Sequence, residues 1–253
     1  AINYSTLTWS TSGSGIFTNA TTKLASYTPS ATDYDTGFVI LTLQANSIAP
    51  CDALVTDAIQ LDLQKLPVIT VPATTSICTD QNTFGIGGVS IAPVTAYDPN
   101  SIVWETTGTG SFTVSGDMLN PTYNPSNADL TTGLVTLTIT VNSVAPCAIQ
   151  VSESFNLLFQ QLPVADAGID LTECDLPFQI TTASFDVSTV NNLEWTNGSS
   201  SGFFDFDNII DPIYTPGTDD LANGSVTLTL RAVALDPCTA DEVTSIVVLF
   251  VDS

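Results

Sequence analysis

The side chains that could do chemistry in this sequence are carboxylates and thiols, because the chain contains no histidine. Histidine is the usual general base near neutral pH and a common metal ligand. A serine–lysine pair has no candidate after residue 65, where the last lysine lies. The neighbouring acids Asp205 and Asp207, or Asp219 and Asp220, could form the carboxylate pair of a glycosidase. These pairs have no counterparts in the second repeat defined below, so the sequence predicts solvated loops and no enzyme.

The many carboxylates make calcium the metal to consider, since Ca²⁺ prefers oxygen ligands. One cluster of acids follows residue 163, and its members are the calcium candidates Asp166, Asp170, Glu173 and Asp175. The matching positions one repeat earlier are Thr70, Thr74, Ile77 and Thr79. The repeat itself is therefore not built on calcium. We expect no cofactor, with a calcium ion at this one junction as the open alternative.

The charge balance excludes several classes of partner. The chain has 26 acidic and 3 basic residues, for a formal net charge of −23. Nucleic-acid binding is not expected, because nothing could neutralise the phosphates. Binding to an anionic membrane through basic residues is not expected for the same reason. The sequence also contains no apolar run of about 18 residues, so we expect no membrane insertion.

A turn followed by a strand occurs three times and organises the rest of the chain. In the middle copy Tyr123, Pro125, Asp129 and Gly133 precede an alternating apolar segment at 135–141. Proline holds the preceding residue in extended geometry, and aspartate and glycine suit a tight turn. Alternation with a period of two indicates a half-buried strand. The repeated acids, Asp33, Asp129 and Asp220, are predicted to cap these turns.

The spacing of the flanking residues shows that the repeating unit is a whole domain. The tryptophans Trp9, Trp104 and Trp195 lie 95 and 91 residues apart, and the cysteines Cys51, Cys147 and Cys238 lie 96 and 91 apart. Such intervals indicate tandem domains. The predicted divisions are an incomplete repeat at 1–66 that lacks its N-terminal strands, a repeat at 67–162 and a repeat at 163–253. The N-terminus lacks the features of a signal peptide, and we expect the array to continue at both ends.

Each complete repeat carries about seven short strands without helical periodicity. We therefore predict an all-β fold of tandem immunoglobulin-like antiparallel β-sandwich domains in an extended array. Trp9, Trp104 and Trp195 are predicted core residues, because each follows an apolar residue two positions earlier in an alternating strand. Exposed aromatics that could stack on sugars are limited to Phe203, Phe204 and Tyr97, and none of them recurs.

Five cysteines indicate disulfide chemistry in an oxidising, extracellular compartment. Zinc is disfavoured by the absence of histidine and of any CxxC pair. Two connectivities are open. Cys78–Cys147 with Cys174–Cys238 would close each repeat on itself and leave Cys51 unpaired, whereas Cys51–Cys78 with Cys147–Cys174 would join neighbouring repeats. The first is favoured, because each repeat then carries its own complete bridge.

The repeat resembles a known family. The residues that carry the resemblance are Trp-x-Thr-x-Gly-x-Gly-x-Phe from Trp104, Asn-Pro-Thr-Tyr-x-Pro from Asn120, the following Asp-Leu-x-x-Gly-x-Val-Thr-Leu-Thr, Pro146-Cys147, and Ala-Asp-Ala-Gly-x-Asp from Ala165. This pattern is similar to the immunoglobulin-like repeats of giant cell-surface adhesins of Bacteroidetes, of the gliding-motility adhesin (SprB) type. The segments at 70–72 and 197–199 depart from the pattern, and a common ligand site is therefore not expected.

The resemblance implies a structural stalk or filament segment of a secreted, repetitive cell-surface adhesin that serves cell adhesion or gliding motility. It implies export and an extracellular location attached to the outer membrane. Partners would be neighbouring repeats in the same chain and, through distal parts of the full protein, a surface polysaccharide, other cells or a substratum. Two alternatives stay open. One is an array of carbohydrate-binding modules attached to a secreted polysaccharide-degrading enzyme, which would need equivalent exposed aromatics in successive repeats. The other keeps the filament but lets the incomplete first repeat accept strands from another subunit, as in donor-strand pili.

Overall fold

The structure is a computed structural model that describes residues 3–174 and 177–251. Its regular structure is almost entirely strand. In chain order the strands are β1 (Tyr4–Thr11), β2 (Ile16–Thr18), β3 (Ser26–Thr28), β4 (Phe38–Ser47), β5 (Leu54–Asp62), β6 (Val68–Thr70), β7 (Thr75–Cys78), β8 (Phe84–Gly85), β9 (Ser90–Ala92), β10 (Val103–Thr106), β11 (Ser111–Thr113), β12 (Thr122–Asn124), β13 (Leu134–Asn142), β14 (Gln150–Gln160), β15 (Ala165–Asp166), β16 (Leu171–Glu173), β17 (Phe178–Gln179), β18 (Ser184–Phe185), β19 (Val190–Thr196), β20 (Phe203–Phe204), β21 (Ile213–Thr215), β22 (Ser225–Ala234) and β23 (Glu242–Phe250).

The sheets follow one plan in the second and third repeats. A four-stranded sheet has the order β10-β13-β14-β7 in the second repeat and β19-β22-β23-β16 in the third. A three-stranded sheet accompanies each of them, β11-β12-β8 and β20-β21-β17 respectively. Pairing is antiparallel except at one edge, where β7 runs parallel to β14 and β16 runs parallel to β23. The predicted all-β class of tandem antiparallel immunoglobulin-like sandwiches is confirmed.

The first repeat has the same central strands but fewer partners. Its larger sheet has three strands in the order β1-β4-β5, and β2 pairs with β3. In the part of the chain that the structure describes, β5 is an edge strand of this sheet.

In the part of the chain that the structure describes, a 3-10 helix spans Pro99–Ser101, and three short α-helices interrupt the strands. The sequence did not indicate the α-helices. They are α1 (Ala31–Thr36), α2 (Asn127–Thr132) and α3 (Thr218–Asn223), six residues each. Each one contains the repeated aspartate, and each ends at a glycine with positive φ: Gly37 at 84°, Gly133 at 79° and Gly224 at 71°. Glycine tolerates this left-handed geometry and is therefore suited to end the helix. None of the described helices has the length and apolar character needed to cross a membrane.

The chain divides into two compact units. The first comprises 1–70, 89–103 and 139–153, and the second comprises 71–88, 104–138 and 154–253. The first unit holds the sheets β1-β4-β5, β2-β3 and β6-β9. The second unit contains a core of alternating residues from β19, β22 and β23, in which Trp195, Leu228 and Ile246 are almost wholly buried. The division into repeats at 1–66, 67–162 and 163–253 stays a prediction.

Candidate functional site

The repeated aspartate lies at the centre of a hydrogen-bonded corner that the chain builds three times. We call this group the aspartate corner: the aspartate, the tyrosine six residues before it, the helix N-cap, and the glycine-containing loop that faces them. In the second repeat Asp129 is the third residue of α2 and only 2% exposed. Its backbone N–H donates to the Ser126 hydroxyl, and its carboxylate accepts from the Ser126 N–H, which completes a capping box.

The rest of the Asp129 carboxylate is also occupied by donors. The Tyr123 hydroxyl donates to Oδ2 over 2.8 Å, and the Thr109 N–H donates to Oδ1 over 2.8 Å. Gly108 and Gly110 permit this close approach, because an added Cβ would lie 2.2 Å from Asp129 Oδ1 or 2.5 Å from the Tyr123 hydroxyl. The acid therefore ties a helix, a strand and a loop together, and both of its oxygens face inward.

The first repeat reproduces this geometry. Asp33 is 2% exposed and accepts from the Tyr27 hydroxyl over 2.7 Å. The backbone N–H groups of Ser14, Gly15 and Ser30 donate to the same carboxylate over 2.8, 3.0 and 2.9 Å. The prediction that the repeated acids cap their turns is confirmed in all three repeats, since each one is the third residue of its helix.

The third repeat keeps the acid and the tyrosine but changes the other partners. Tyr214 donates to Asp220 over 2.8 Å, and the Ser200 hydroxyl donates to the second carboxylate oxygen. Gly217 replaces the N-cap serine and has no side chain to cap α3, but its N–H still donates to the Asp220 carboxylate over 2.8 Å. Asn197 donates to the Tyr214 hydroxyl over 3.1 Å. The departure from the repeat pattern at 197–199 therefore gives the same corner a different set of donors.

The corners of the first and second repeats hold their acids, Asp33 and Asp129, in the charged form. The hydrogen bond from the Tyr27 hydroxyl, assisted by backbone N–H groups, lowers the pKa of Asp33 far below its ordinary value. Burial raises the pKa of Asp129, but the donors from Ser126, Thr109 and Tyr123 outweigh it, so the net shift is downward. Burial also raises the pKa of Tyr123. A carboxylate held in this way stabilises the fold and is not available as a base for a bound substrate.

An aromatic ladder connects each corner to its tryptophan. Ring centroids lie 5.8 Å apart between Trp104 and Phe112 and 5.0 Å apart between Phe112 and Tyr123. The first and third repeats repeat this arrangement with Trp9, Phe17 and Tyr27 and with Trp195, Phe204 and Tyr214. In each repeat the indole N–H donates to a backbone carbonyl 13 or 14 residues further on. Trp195 is buried at 2% exposure, whereas Trp9 and Trp104 are half-buried.

The cysteines pair differently from either predicted connectivity. Cys78 is bonded to Cys238, with their Cα atoms 4.8 Å apart, while Cys51, Cys147 and Cys174 are free. The predicted pairs Cys78–Cys147 and Cys174–Cys238 are therefore wrong, and so are Cys51–Cys78 and Cys147–Cys174. The physical reason is the parallel pairing of β7 with β14, which places Cys78 beside Gln160 at the end of the second repeat. Cys238 contacts that same strand end, with Sγ 3.2 Å from the Gln160 carbonyl oxygen.

The calcium candidates do not converge in the part of the chain that the structure describes. Asp166 accepts from the Gly168 N–H over 3.0 Å, and Asp170 accepts from the Val247 N–H over 2.7 Å. Asp175 lies outside the described residues. Among the described residues no three acidic or cysteine side chains are grouped closely enough to hold a metal ion. A calcium site at this junction therefore gains no support from the geometry.

The paired acids considered for glycosidase chemistry serve their own loops. Asp205 accepts from the N–H groups of Phe206 and Ile213, both over 2.8 Å. Asp219 accepts from the Ser201 hydroxyl over 2.8 Å, and this bond lowers the pKa of Asp219. Of the exposed-aromatic candidates, Tyr97 is buried at 8% exposure, whereas Phe203 is 61% exposed.

Sequence reasoning missed two features of the corner and the bridge. The tyrosine–aspartate bond had a signal in the sequence, namely the constant six-residue separation of Tyr27, Tyr123 and Tyr214 from their acids. The Cys78–Cys238 bond had none, because it depends on which strand ends meet in space.

Comparisons with known proteins give structural neighbours only. No protein-family model and no curated protein matches the sequence. Among solved structures the chain is similar to the human desmocollin-1 ectodomain, with 11% identity and a TM-score of 0.47, covering 98% of this chain and 55% of that one. It is also similar to Drosophila N-cadherin EC1-4, with 12% identity, a TM-score of 0.44 and coverage of 85% and 58%, and to protocadherin gamma C5 EC1-3, with 12% identity, a TM-score of 0.45 and coverage of 96% and 89%. The chain spans about half the length of the desmocollin chain.

Proposed function

We propose that this chain is a structural segment of a repetitive cell-surface adhesin, in which tandem repeats supply length between an attachment point and a distal binding region. The observation that carries the proposal is the aspartate corner. The repeated polar residues Asp33, Asp129 and Asp220 form buried hydrogen bonds that hold each repeat together. Among the described residues this buried hydrogen-bonded corner recurs and no outward-facing site does, which is the pattern expected of a spacer.

The surface chemistry agrees with an exposed, extracellular role. A net charge of −23 keeps neighbouring chains apart through like-charge repulsion. The Cys78–Cys238 bond suits an oxidising compartment, where disulfides persist. Surface attachment or gliding motility is the setting implied by the resemblance of the repeats. The contact with polysaccharide, cells or substratum is assigned to other parts of the full protein.

A replacement experiment tests the spacer role directly. In the full-length protein the segment 67–253 is exchanged for an unrelated tandem β-sandwich array of similar residue number and acidity. A spacer predicts that cell-surface display and attachment to a substratum are retained. Loss of attachment with normal display would contradict the proposal, because the segment would then contribute specific contacts.

The carbohydrate-binding alternative has candidate residues in the third repeat, where Phe203 and Phe206 are 61% and 62% exposed. Aromatic faces of this kind can stack on sugars. The purified chain should give no signal on a glycan array. A signal that disappears in a Phe203→Ala, Phe206→Ala variant would favour the binding-module function instead, and a Val187→Ala variant, at a residue 77% exposed, is the control for loss of surface apolar area.

A further inference from the structure

The cysteines occupy two kinds of position in the repeats. The early cysteines lie at the ends of short edge strands: Cys78 is the last residue of β7, and Cys174 directly follows β16. The late cysteines follow the long central strands β4, β13 and β22, and they are Cys51, Cys147 and Cys238. The one disulfide joins the early cysteine of the second repeat to the late cysteine of the third. We propose that this link is general to the array, and that Cys147 and the free edge of β5 form a docking site for a cysteine-ended parallel strand. This concerns how repeats are joined and does not depend on what the array binds.

The existing bridge shows what such a site looks like when it is filled. β7 runs parallel to β14, with Leu157 opposite Thr75 and Gln160 opposite Cys78. The Thr79 N–H then donates to the Gln160 carbonyl over 2.9 Å. Cys238 contacts the same carbonyl oxygen through its sulfur, and Leu162 packs against the bridge. β7 therefore places the Cys78 sulfur at the end of β14, where the Cys238 sulfur also lies.

Cys147 lies in the same place one repeat earlier. Its Sγ is 3.7 Å from the carbonyl oxygen of Gln64. Gln64 precedes Gln160 by 96 residues, the same interval that separates Asp33 from Asp129 and Cys51 from Cys147. Cys147 thus contacts the end of the first repeat as Cys238 contacts the end of the second, but no described strand brings a second sulfur to Cys147.

The edge of β5 has the features of an unfilled strand position. Among the described residues no strand pairs with this edge, whereas the equivalent edges of β14 and β23 carry β7 and β16. β14 continues to Gln160 beside its partner, but β5 ends at Asp62, two residues before Gln64. Ile59 on β5 is 61% exposed, whereas Phe155 at the equivalent position on β14 is 6% exposed. Unpaired strand edges of this kind bind added strands through main-chain hydrogen bonds.

A cavity of about 690 Å³ lies at the end of this edge. It is lined by Ala31, Tyr34, Gln64, Lys65, Leu66, Cys147 and Ile149, all within the first unit. The lining is mainly apolar, and the thiol of Cys147 is its reactive group. The occupant we infer is a short parallel strand that ends in cysteine, of the kind found at 75–78 and 171–174 in this chain. Cys174, the early cysteine of the third repeat, is likewise free and exposed.

The covalent step is a thiol–disulfide exchange. The Cys147 thiolate attacks the sulfur of an incoming strand cysteine that is held as a mixed disulfide with a small thiol. The new S–S bond forms as the old one breaks, and the small thiol leaves with the electron pair and takes up a proton. Pairing of the incoming strand with β5 accelerates the exchange at Cys147, because docking raises the local concentration of the reacting sulfur.

The test uses a synthetic peptide with the sequence of residues 70–80, its cysteine activated as a glutathione mixed disulfide. The peptide is added to the oxidised chain, and peptide mapping by mass spectrometry measures labelling at Cys51, Cys147 and Cys174. Oxidised glutathione alone measures the intrinsic reactivity of each thiol. A peptide of the same composition in scrambled order is the matched control. We expect the native-order peptide to label Cys147 about tenfold faster relative to Cys51 than glutathione does, which corresponds to about 1.4 kcal/mol of docking free energy.

Hydrogen exchange supplies a second measurement that does not need the covalent bond. The same peptide with serine in place of cysteine should slow amide exchange at 61–64 in the native chain and leave 157–160 unchanged. Equal labelling of Cys147 by native and scrambled peptides would overturn the proposal. So would the absence of both selective labelling and exchange protection, because the edge would then not accept a strand.

Discussion

At the residue scale, the charged Asp129 side chain is almost wholly buried, so the stability of the aspartate corner depends on each of its two carboxylate oxygens. Asp129→Asn keeps the shape but replaces a carboxylate oxygen that accepts from Ser126 and Tyr123 with a donor. We expect a loss of about 2 kcal/mol or more in the free energy of unfolding, because hydrogen bonds to charged groups are stronger than neutral ones. Urea unfolding measures it. Glu105→Gln, at an exposed position, removes the same charge and should change stability by less than about 0.5 kcal/mol.

The acid dependence of stability follows from the same group. The pKa of Asp129 is lowered by folding, so its contribution is present above the ordinary aspartate pKa and is lost as the pH falls through the folded-state value. Asp33 behaves in the same way, with the lower pKa attributed first to Tyr27. Midpoints of urea unfolding should therefore fall as the pH drops below about 4. The Asp129→Asn variant should lose part of this dependence, and an unchanged slope would show that Asp129 is not the linked group.

Gly110 tests the close approach of the loop to the corner. A Cβ at this position would lie 2.5 Å from the Asn124 carbonyl oxygen and 2.5 Å from the Tyr123 hydroxyl. Gly110→Ala should therefore destabilise the protein by about 2 kcal/mol through overpacking. Gly87→Ala is the matched control, because no atom lies within 4 Å of its added Cβ. Thermal unfolding of the two variants gives the comparison, and equal melting temperatures would mean that the loop can move away.

At the scale of elements, the three short helices show what a sequence pattern can and cannot predict. The strands were predictable, because alternation in segments such as 135–141 reflects one buried face. The helices were not, since six residues are too few to display a 3.6-residue period. The acid and the glycine that bound each helix were recognised as turn signals, and the same chemistry serves a turn and a helix of fewer than two turns.

The N-cap of α3 leads to a prediction that runs against the repeat pattern. Serine caps α1 and α2, and Gly217 takes its place at α3. Restoring the pattern with Gly217→Ser would normally be neutral or stabilising. Here an added Cβ would meet Ser201 Oγ at 2.1 Å and the Gly202 N–H nitrogen at 2.5 Å. We expect a loss of about 1–3 kcal/mol, measured by urea unfolding.

The reciprocal change at α2 is the control for that prediction. Ser126→Gly removes the side-chain cap without adding atoms and should cost less than about 1 kcal/mol. If Gly217→Ser raised stability, the loop at 200–202 would have to yield easily, and the difference between the third corner and the others would then have no steric basis.

For the whole molecule, the number of cysteines and their spacing indicated disulfides but not their pairing. Spacing fixes only which positions recur, whereas pairing depends on β7 lying parallel to β14 and on which thiol contacts the strand end. The cavity beside β5 could not be predicted, because it depends on which side chains meet in space, whereas the predicted lack of N-terminal strands already implied an unpaired strand edge in the first repeat. The expectation of an incomplete first repeat came from comparing repeats, and it stays a prediction.

The bridge should be visible when the molecule is stretched. Cys78 and Cys238 are 160 residues apart in sequence. Unfolding under force in oxidising buffer should therefore leave about 500–600 Å of chain unextended, since a stretched chain spans about 3.3–3.6 Å per residue. Added reductant should release this length in single-molecule pulling. A Cys78→Ser variant should show the full length in both buffers, and an unchanged extension after reduction would contradict the pairing.

The covalent ring closed by the Cys78–Cys238 disulfide also affects what happens when the main chain is cleaved. A protease that cuts one peptide bond inside this span does not separate the two sides, because the sulfur bond still connects them. If early and late cysteines are linked along the whole array, successive rings overlap, since each begins before the previous one closes. A polypeptide exposed to proteases would then keep its two ends covalently joined after any single peptide bond within the array is cleaved.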